Sequence, residues 1–400
     1  MTRLDRRERP LPLAVIAALF VASLALRPQL LAVGPLLPLI RDDFGLPASL
    51  AGLLTTIPVL CMGLFAPIGP RVAARLGPRL AFAICLTAIA VLGAIRAIAP
   101  AYSLILVATF GIGVAIGIAG AIPAMIVSQR VSMRPALGTG AYAGGIVAGS
   151  ALGAAFAVPL AVNGEWRTSL LIVSLVSGGS VVAWLLLVRG ESPGPPLRAR
   201  ATRLPWRSVT GWLLVLAFGL QSVMYYGIVA WLANVFVERG WSHADAGTLL
   251  AIVNGVGLVT TFGVPLVSDR LGARRPQLVL AAVAACLSIV GLILLPDWAY
   301  PLVVTLGLAS GMIFPLVLTL PLDVTDDPGQ VGSVAALMLL GGYILSSIGP
   351  FALGAARDLT GNFQASLWLL VVVAAFLVAI CLLLSPARLQ RGIRRPVPTV

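Results

Sequence analysis

Twelve apolar runs follow one another along this 400-residue chain, each about the length needed to cross a lipid bilayer. They cover residues 11–40, 48–69, 79–98, 101–128, 136–161, 168–189, 209–237, 244–267, 277–296, 301–322, 330–356 and 365–385. A bilayer core about 30 Å thick needs about 20 apolar residues in a helix, and a helix satisfies its own backbone polar groups. Charged residues make up only 10% of the chain, against about 25% in soluble domains. The pattern predicts an all-α membrane protein with twelve transmembrane helices.

The 27 basic residues are all arginines, and most lie between the apolar runs. With a cytoplasmic N-terminus, 21 of them fall on the cytoplasmic side. The five on the opposite side are Arg41, Arg96, Arg167, Arg239 and Arg357, whereas Arg27 belongs to neither side. Because cytoplasmic loops carry the excess of positive charge, both termini are predicted to be cytoplasmic. Residues 11–40 are interpreted as a retained first span rather than a cleaved signal peptide. The charge pattern indicates topology, and no nucleic-acid partner is expected.

The two halves of the chain are related by an internal repeat. At an offset of 195 residues, Arg75-Leu76-Gly77 pairs with Arg270-Leu271-Gly272, and Gly145-x4-Ser150-x2-Gly153 recurs at an offset of 196 as Gly341-x4-Ser346-x2-Gly349. The polar, proline-rich stretch 190–208 lies near the midpoint. We therefore expect an N-terminal six-helix bundle (1–189), a cytoplasmic linker (190–208) and a C-terminal six-helix bundle with a basic cytoplasmic tail (209–400). Two parallel repeats of this kind are typical of transporters.

The loop "SDRLGARR" (268–275) resembles the signature loop of the major facilitator superfamily. The resemblance implies two pseudo-symmetric six-helix bundles with a central cavity, and it implies that Asp269 and Arg270 belong to a conformational latch. The N-terminal copy departs from the pattern, because Ala74 stands where the aspartate is expected, although Arg75 is present. The alternative for these arginines is a simple positive-inside loop.

A narrower resemblance links three segments to the cyanate/2-nitroimidazole transporter group of that superfamily. These are "LRPQLLAVGPLLPLIRDDFGL" in the first run, "FPLVLTL" (314–320) and "GEWR" (164–167). The resemblance implies a small anionic or strongly polar substrate that is cyanate-like, nitroimidazole-like or a small organic acid. The fourth run departs from the group, because Ala119-Gly120 stand where the group often has an asparagine.

Arg27 lies near the middle of the first run and is followed directly by Pro28. A charge at this depth costs about 2.5–3.5 kcal/mol on insertion scales, and a proline breaks the helix. Pro35 and Pro38 are expected to repeat the disturbance. No Asp or Glu lies centrally in an apolar run. We therefore predict that Arg27 contacts the substrate, with a structural arginine paired to an acid as the alternative.

Further polar side chains at similar depth are candidates for the same site, although each could equally form a packing hydrogen bond between helices. The substrate-binding candidates besides Arg27 are Gln29, Tyr142, Gln221, Tyr225, Asn254 and Tyr343. At the 195-residue offset Arg27 corresponds to Ser222, which places Gln221 and Ser222 opposite it.

The sequence favours a secondary or facilitative transporter of the bacterial inner membrane that works by alternating access. Drug or metabolite efflux within the same superfamily is the alternative. We expect no cofactor, metal site or enzymatic activity, because the chain has one histidine, His243, and lacks a nucleotide-binding loop. The four cysteines show no metal-ligand spacing. Expected partners are the lipid bilayer and a small-molecule substrate, the chain is expected to be a monomer, and proton coupling and uniport both stay open.

Overall fold

The computed structural model describes residues 13–120, 122–131, 135–161, 165–188, 204–271, 274–324 and 328–384, all of which are helical or connect helices. The α-helices in these ranges are α1 (Leu13–Leu24), α2 (Pro28–Leu31), α3 (Val33–Phe44), α4 (Ala48–Phe65), α5 (Gly69–Leu76), α6 (Pro78–Ile98), α7 (Tyr102–Ala119), α8 (Ile122–Arg130), α9 (Pro135–Phe156), α10 (Trp166–Leu187), α11 (Val209–Glu238), α12 (His243–Leu271), α13 (Arg274–Leu294), α14 (Ala299–Thr319), α15 (Pro328–Thr360) and α16 (Gln364–Leu383). Short 3-10 turns occupy Ala66–Ile68, Pro296–Trp298 and Leu320–Asp323.

The predicted all-α membrane architecture is confirmed. Within the described ranges, eleven helical segments are long and apolar enough to cross a membrane. A shorter apolar segment, Gly140–Phe156, lies in α9 and corresponds to the fifth predicted span. Each of the twelve predicted runs therefore contains a helix. Two of the runs are divided between helices: the first into α1–α3 and the fourth into α7 and α8.

Glycines in α9 bring this helix into direct backbone contact with α1 and α2. Gly145 packs on the carbonyl of Phe20, and Gly149 packs so closely on Leu24 that a Cβ would collide with its carbonyl oxygen. A Cβ on Gly153 would lie 2.7 Å from the Cα of Pro28. Small residues at four-residue spacing form one helix face, which allows this close approach.

The corresponding contacts in the C-terminal helices follow the internal repeat. Gly341 packs on Val215 and Gly349 on Val223, which are the partners of Gly145 and Gly153 shifted by 195 residues. Between them the small and large residues exchange places: Leu345 of α15 packs on Gly219 of α11. The pair α9 with α1–α2 and the pair α15 with α11 therefore use the same interface with different side chains.

Contacts between the N-terminal helices (α1–α10) and the C-terminal helices (α11–α16) run along α4 and α15, from Gly52 against Pro350 to Gly63 against Leu340, and include a cluster of hydrogen bonds at the predicted outer end. Asp358 of α15 accepts hydrogen bonds from the backbone N–H groups of Ala48 and Ser49 at 2.8 and 2.7 Å. Arg41 donates to Asn234 Oδ1 at 3.1 Å. In the same helix α3, Gly34 packs directly on the main chain of α11, where a Cβ would collide with the carbonyl oxygen of Val229.

Several predicted features lie partly or wholly outside the described ranges. The linker is described only from residue 204, and the basic tail beyond residue 384 is not described. Asp269 and Arg270 fall in α12, but their side chains are outside the description, as are residues 272 and 273 of the loop. Arg75 is exposed at the end of α5. The latch role of these three residues stays a prediction.

Candidate functional site

The site begins at the break between α1 and α2, which the sequence explains directly. Pro28 has no N–H to continue the α1 hydrogen-bond ladder, and α1 ends at Leu24. Ala25 and Leu26 instead donate to the carbonyls three residues earlier, at 3.2 and 3.1 Å. Pro28 then becomes the first residue of α2, a position where a missing N–H costs little. Pro35 lies in the first turn of α3, directly after the interruption at Ala32 that separates α3 from α2. The expected disturbance is wrong for Pro38, because α3 continues through it.

The break places Arg27 between the N-terminal and C-terminal helices. Its Nη1 donates a hydrogen bond to the hydroxyl of Tyr226 on α11 at 2.8 Å. Tyr225 and Tyr343 also lie close enough to interact electrostatically with the guanidinium. Among the residues that the structure describes, no carboxylate forms an ion pair with Arg27. A half-buried cation beside phenol hydroxyls keeps its positive charge available to an anion.

A cavity of about 100 Å³ opens beside Arg27, and we call it the Arg27 cavity. The space is large enough for several water molecules or one small solute. Its lining comes from α9, α11, α12, α14 and α15 together with Arg27. The side chains that line it are Arg27, Ile146, Val147, Ser150, Gln221, Ser222, Tyr225, Tyr226, Val253, Asn254, Leu258, Thr261, Ser310, Phe314 and Tyr343, with Gly257, Gly307 and Gly311.

The polar groups of the lining form a partly satisfied network. The Tyr225 hydroxyl donates to Asn254 Oδ1 at 2.7 Å, and Asn254 Nδ2 donates to the Leu250 carbonyl at 2.9 Å. Ser222 donates to Gln221 Oε1 at 3.2 Å. The buried Ser310 hydroxyl has no hydrogen-bond partner in the described structure. Buried polar groups normally have partners, so this free hydroxyl suits a solute that accepts or donates a hydrogen bond.

Five of the seven predicted substrate residues meet in the Arg27 cavity: Arg27, Gln221, Tyr225, Asn254 and Tyr343. Gln29 does not line it, since its side chain is fully buried and hydrogen-bonded to Ser174 of α10 and to Arg96 of α6. Residues two apart in a helix do not share a face, which separates Gln29 from Arg27. Tyr142 lies in α9, one turn before the lining residue Ile146, and also stays outside the lining.

Sequence reasoning missed two residues beside the site. Tyr226, which accepts the hydrogen bond of Arg27, is not among the predicted substrate residues, although its neighbour Tyr225 is. Arg96 is counted only as one of the five arginines on the side opposite the N-terminus, whereas in the structure its side chain is 1% exposed and reaches into the bundle. Its position two residues before the end of α6 resembles that of a surface arginine, and nothing in the local sequence indicates burial.

No metal or catalytic constellation accompanies these residues in the described ranges. No group of three or more His, Cys, Asp or Glu side chains there could hold a metal ion. The described lining offers one guanidinium, phenol and alcohol hydroxyls, and amides. Such groups bind and orient a solute through hydrogen bonds and charge, which is the chemistry of recognition.

Comparison with known proteins agrees with this architecture. The model of the Major Facilitator Superfamily matches residues 13–350. The chain is 29% identical to a 2-nitroimidazole transporter of Escherichia coli over 371 residues, covering 92% of this chain and 94% of the relative. It is 31% identical to the cyanate transport protein of Escherichia coli over 383 residues, covering 94% and 98%.

Among solved structures, the fold is similar to a bacterial homologue of the human lysosomal transporter Spinster in an inward-facing, unoccupied conformation. The TM-score is 0.82 at 16% identity, covering 97% of this chain and 100% of that one. The family match spans most of the chain and its relatives are transporters. The predicted superfamily membership is thereby confirmed, and the chain belongs to the Major Facilitator Superfamily as one of its multi-pass membrane transporters.

Proposed function

We propose that this protein moves a small anionic or strongly polar solute across the bacterial inner membrane by alternating access, with Arg27 contacting the solute. One observation carries the proposal: Arg27 faces a small cavity and pairs with no carboxylate of the described structure. Predicted domains 1–189 and 209–400 would rock about this site, and both termini would be cytoplasmic.

The energetic argument concerns the cost of a buried charge. A cation inside a membrane bundle is unfavourable unless it pairs with an opposite charge or meets water. The described lining of the Arg27 cavity supplies hydroxyls and amides but neither Asp nor Glu. An anionic solute would supply the missing negative charge together with acceptors for the guanidinium N–H groups. Similarity to proteins named for cyanate and 2-nitroimidazole transport supports a small, polar solute.

The test is uptake of cyanate and of 2-nitroimidazole by proteoliposomes containing wild type or Arg27→Gln. Glutamine keeps part of the hydrogen bonding but removes the charge. We therefore expect the KM for the anion to rise about ten- to hundredfold, which corresponds to the loss of one charge-assisted hydrogen bond. Arg71→Gln is the matched control, because Arg71 is exposed and donates a hydrogen bond to the nearby Pro67 carbonyl. Unchanged anion transport by Arg27→Gln would refute the proposal. Equal losses for anionic and neutral solutes would assign Arg27 a structural role.

Efflux of larger aromatic compounds is the second candidate, and the aromatic part of the lining favours it. Tyr225, Tyr226, Phe314 and Tyr343 all face the Arg27 cavity, and such rings stack on flat organic molecules. The cavity volume of about 100 Å³ favours a small solute instead. Transport of ethidium by wild type that survives Arg27→Gln, without any transport of cyanate, would favour efflux.

A further inference from the structure

Arg96 of α6 is a buried arginine that the proposed transport step does not use. Its side chain is 1% exposed, and Nη2 donates to both the backbone carbonyl oxygen and the side-chain Oε1 of Gln29, each at 2.7 Å. Its Nε and Nη1 have no hydrogen-bond partner in the described structure. The hydrogen bonds that the structure gives Arg96 therefore converge on Gln29 of α2.

Gln29 is fixed from two further directions. Its Nε2 donates to Ser174 Oγ of α10 at 2.8 Å, and Ser174 in turn donates to the Leu170 carbonyl at 2.7 Å. Gly93 of α6 lies against the amide, so closely that a Cβ there would collide with Gln29 Nε2. We call Gly93, Arg96 and Ser174 the Gln29 clamp. The Gln29 clamp contacts the Gln29 side chain of the four-residue helix α2.

Arg27 lies in the break between α1 and α2, and the Gln29 clamp holds α2 directly after that break. Arg27 and Gln29 are separated only by Pro28, which cannot donate to the α1 ladder. The direction of the Arg27 side chain is therefore set by where α2 is held rather than by a continuous helix. Arg96 holds α2 through the backbone carbonyl of Gln29, so it constrains the main chain as well as the side chain.

Packing alone does not explain an arginine at this position. An apolar side chain of similar volume would fill the space without the cost of a buried charge. Direct contact with a solute in the Arg27 cavity does not explain it either, because Arg96 does not line that cavity. What an apolar side chain could not do is donate a charge-assisted hydrogen bond to the Gln29 carbonyl.

We propose that Arg96 is a positioning residue of the substrate site, which holds α2 through Gln29 and thereby aims Arg27 into the Arg27 cavity. This inference rests on the proposed contact between Arg27 and the solute. Arg96 itself touches no solute and acts through the main chain of α2.

Arg96→Leu tests the inference by removing the clamp while keeping an apolar filler. In proteoliposomes we expect the KM for cyanate to rise about tenfold, as for a misplaced hydrogen bond to charge, while the maximal rate is retained. Arg96→Lys keeps one donor and should recover part of the loss. The matched control is Arg79→Leu, which should leave the KM unchanged. Arg79 lies at the other end of the same helix and donates to the carbonyls of Val188 and Leu185.

Two measurements separate positioning from general destabilisation. In the Arg27→Gln background Arg96→Leu should cause no further rise in KM, because the group it aims is gone. Hydrogen–deuterium exchange of residues 24–33 should rise in Arg96→Leu and not in Arg79→Leu, with no solute present. An unchanged KM and unchanged exchange overturn the proposal, as does an equal further loss in the Arg27→Gln background. If Arg27→Gln itself leaves the KM unchanged, the proposed function fails, and the exchange result alone decides whether Arg96 holds α2.

Discussion

At the scale of single residues, Arg27 is linked to the opposite set of helices by a phenol. Its hydrogen bond to Tyr226 at 2.8 Å joins α1–α2 to α11 across the Arg27 cavity. A tyrosine hydroxyl accepts from a guanidinium without neutralising it. Under the proposed function, the guanidinium would exchange this bond for a stronger one to the anionic solute.

Tyr226→Phe removes this acceptor and should destabilise the solute-free protein. Leaving a buried donor without its partner costs about 1–3 kcal/mol, so the midpoint of thermal unfolding should fall. Added cyanate should restore more stability to the variant than to wild type, because the anion replaces the lost acceptor. Tyr300→Phe is the control, since Tyr300 is exposed and packs on Trp241. The same midpoint for both variants would contradict the role given to Tyr226.

The sequence predicted most of the site residues because polar side chains stand out within apolar runs. Gln221, Tyr225, Asn254 and Tyr343 reach the Arg27 cavity as side chains of central helices. The sequence could not tell which face of a broken helix each side chain takes. Gln29 points away from the cavity and bonds to Arg96, and Arg96 is buried although its sequence position suggests a surface.

At the scale of helices, the glycine face of α9 fixes the position of the break. Gly145, Gly149 and Gly153 contact the main chain of Phe20, Leu24 and Pro28. The spacing of these glycines puts them on one helix face, but the partner helix could be identified only from the structure. In α15 the equivalent of Gly149 is Leu345, and its partner Gly219 supplies the space instead. Close approach at this interface thus requires a small residue on one side only.

Gly149→Ala should displace α1 from α9 and impair transport. An added Cβ would collide with the carbonyl oxygen of Leu24, and backbone cannot move aside as a flexible side chain can. We expect a loss of about 1–3 kcal/mol in stability and reduced uptake of cyanate. Gly140→Ala in the same helix is the control, because nothing lies within 4 Å of its Cβ position. There alanine should stabilise by about 0.5–1 kcal/mol. Equal effects at both glycines would disprove the packing argument.

At the scale of the whole molecule, the first turn of α4 is capped by the other half of the chain. Pro47 stands at its N-cap and provides no side-chain hydrogen bond. Asp358 of α15 instead accepts hydrogen bonds from the N–H groups of Ala48 and Ser49. The preceding residue, Arg357, forms an ion pair with Glu238 at 2.7 Å. A carboxylate at a helix N-terminus satisfies free N–H groups and meets the positive end of the helix dipole. This contact favours a closed outer end.

Asp358→Ala should shift the population toward a state with the outer end open. Loss of an N-cap costs about 0.5–2 kcal/mol, and the closed state alone bears that cost. Spin labels at the exposed positions Glu165 and Gln364, in a protein without its native cysteines, should show a larger fraction of long distances. Asp297→Ala changes an exposed aspartate in the 3-10 turn before α14 and should leave the distribution unchanged. An identical distribution for Asp358→Ala would rule out the gating role.

The uncompensated charge of Arg27 also connects the transporter to the membrane potential. A site holding one monovalent anion is electrically neutral, whereas the empty site carries one positive charge. A charge that crosses the whole field gains about 2.3 kcal/mol per 100 mV. Under the proposed function, an inside-negative potential would act mainly on the empty carrier and draw its binding site toward the cytoplasm, while the reorientation of the loaded carrier would depend little on voltage. The return step, rather than solute passage, would be the electrogenic half of the cycle.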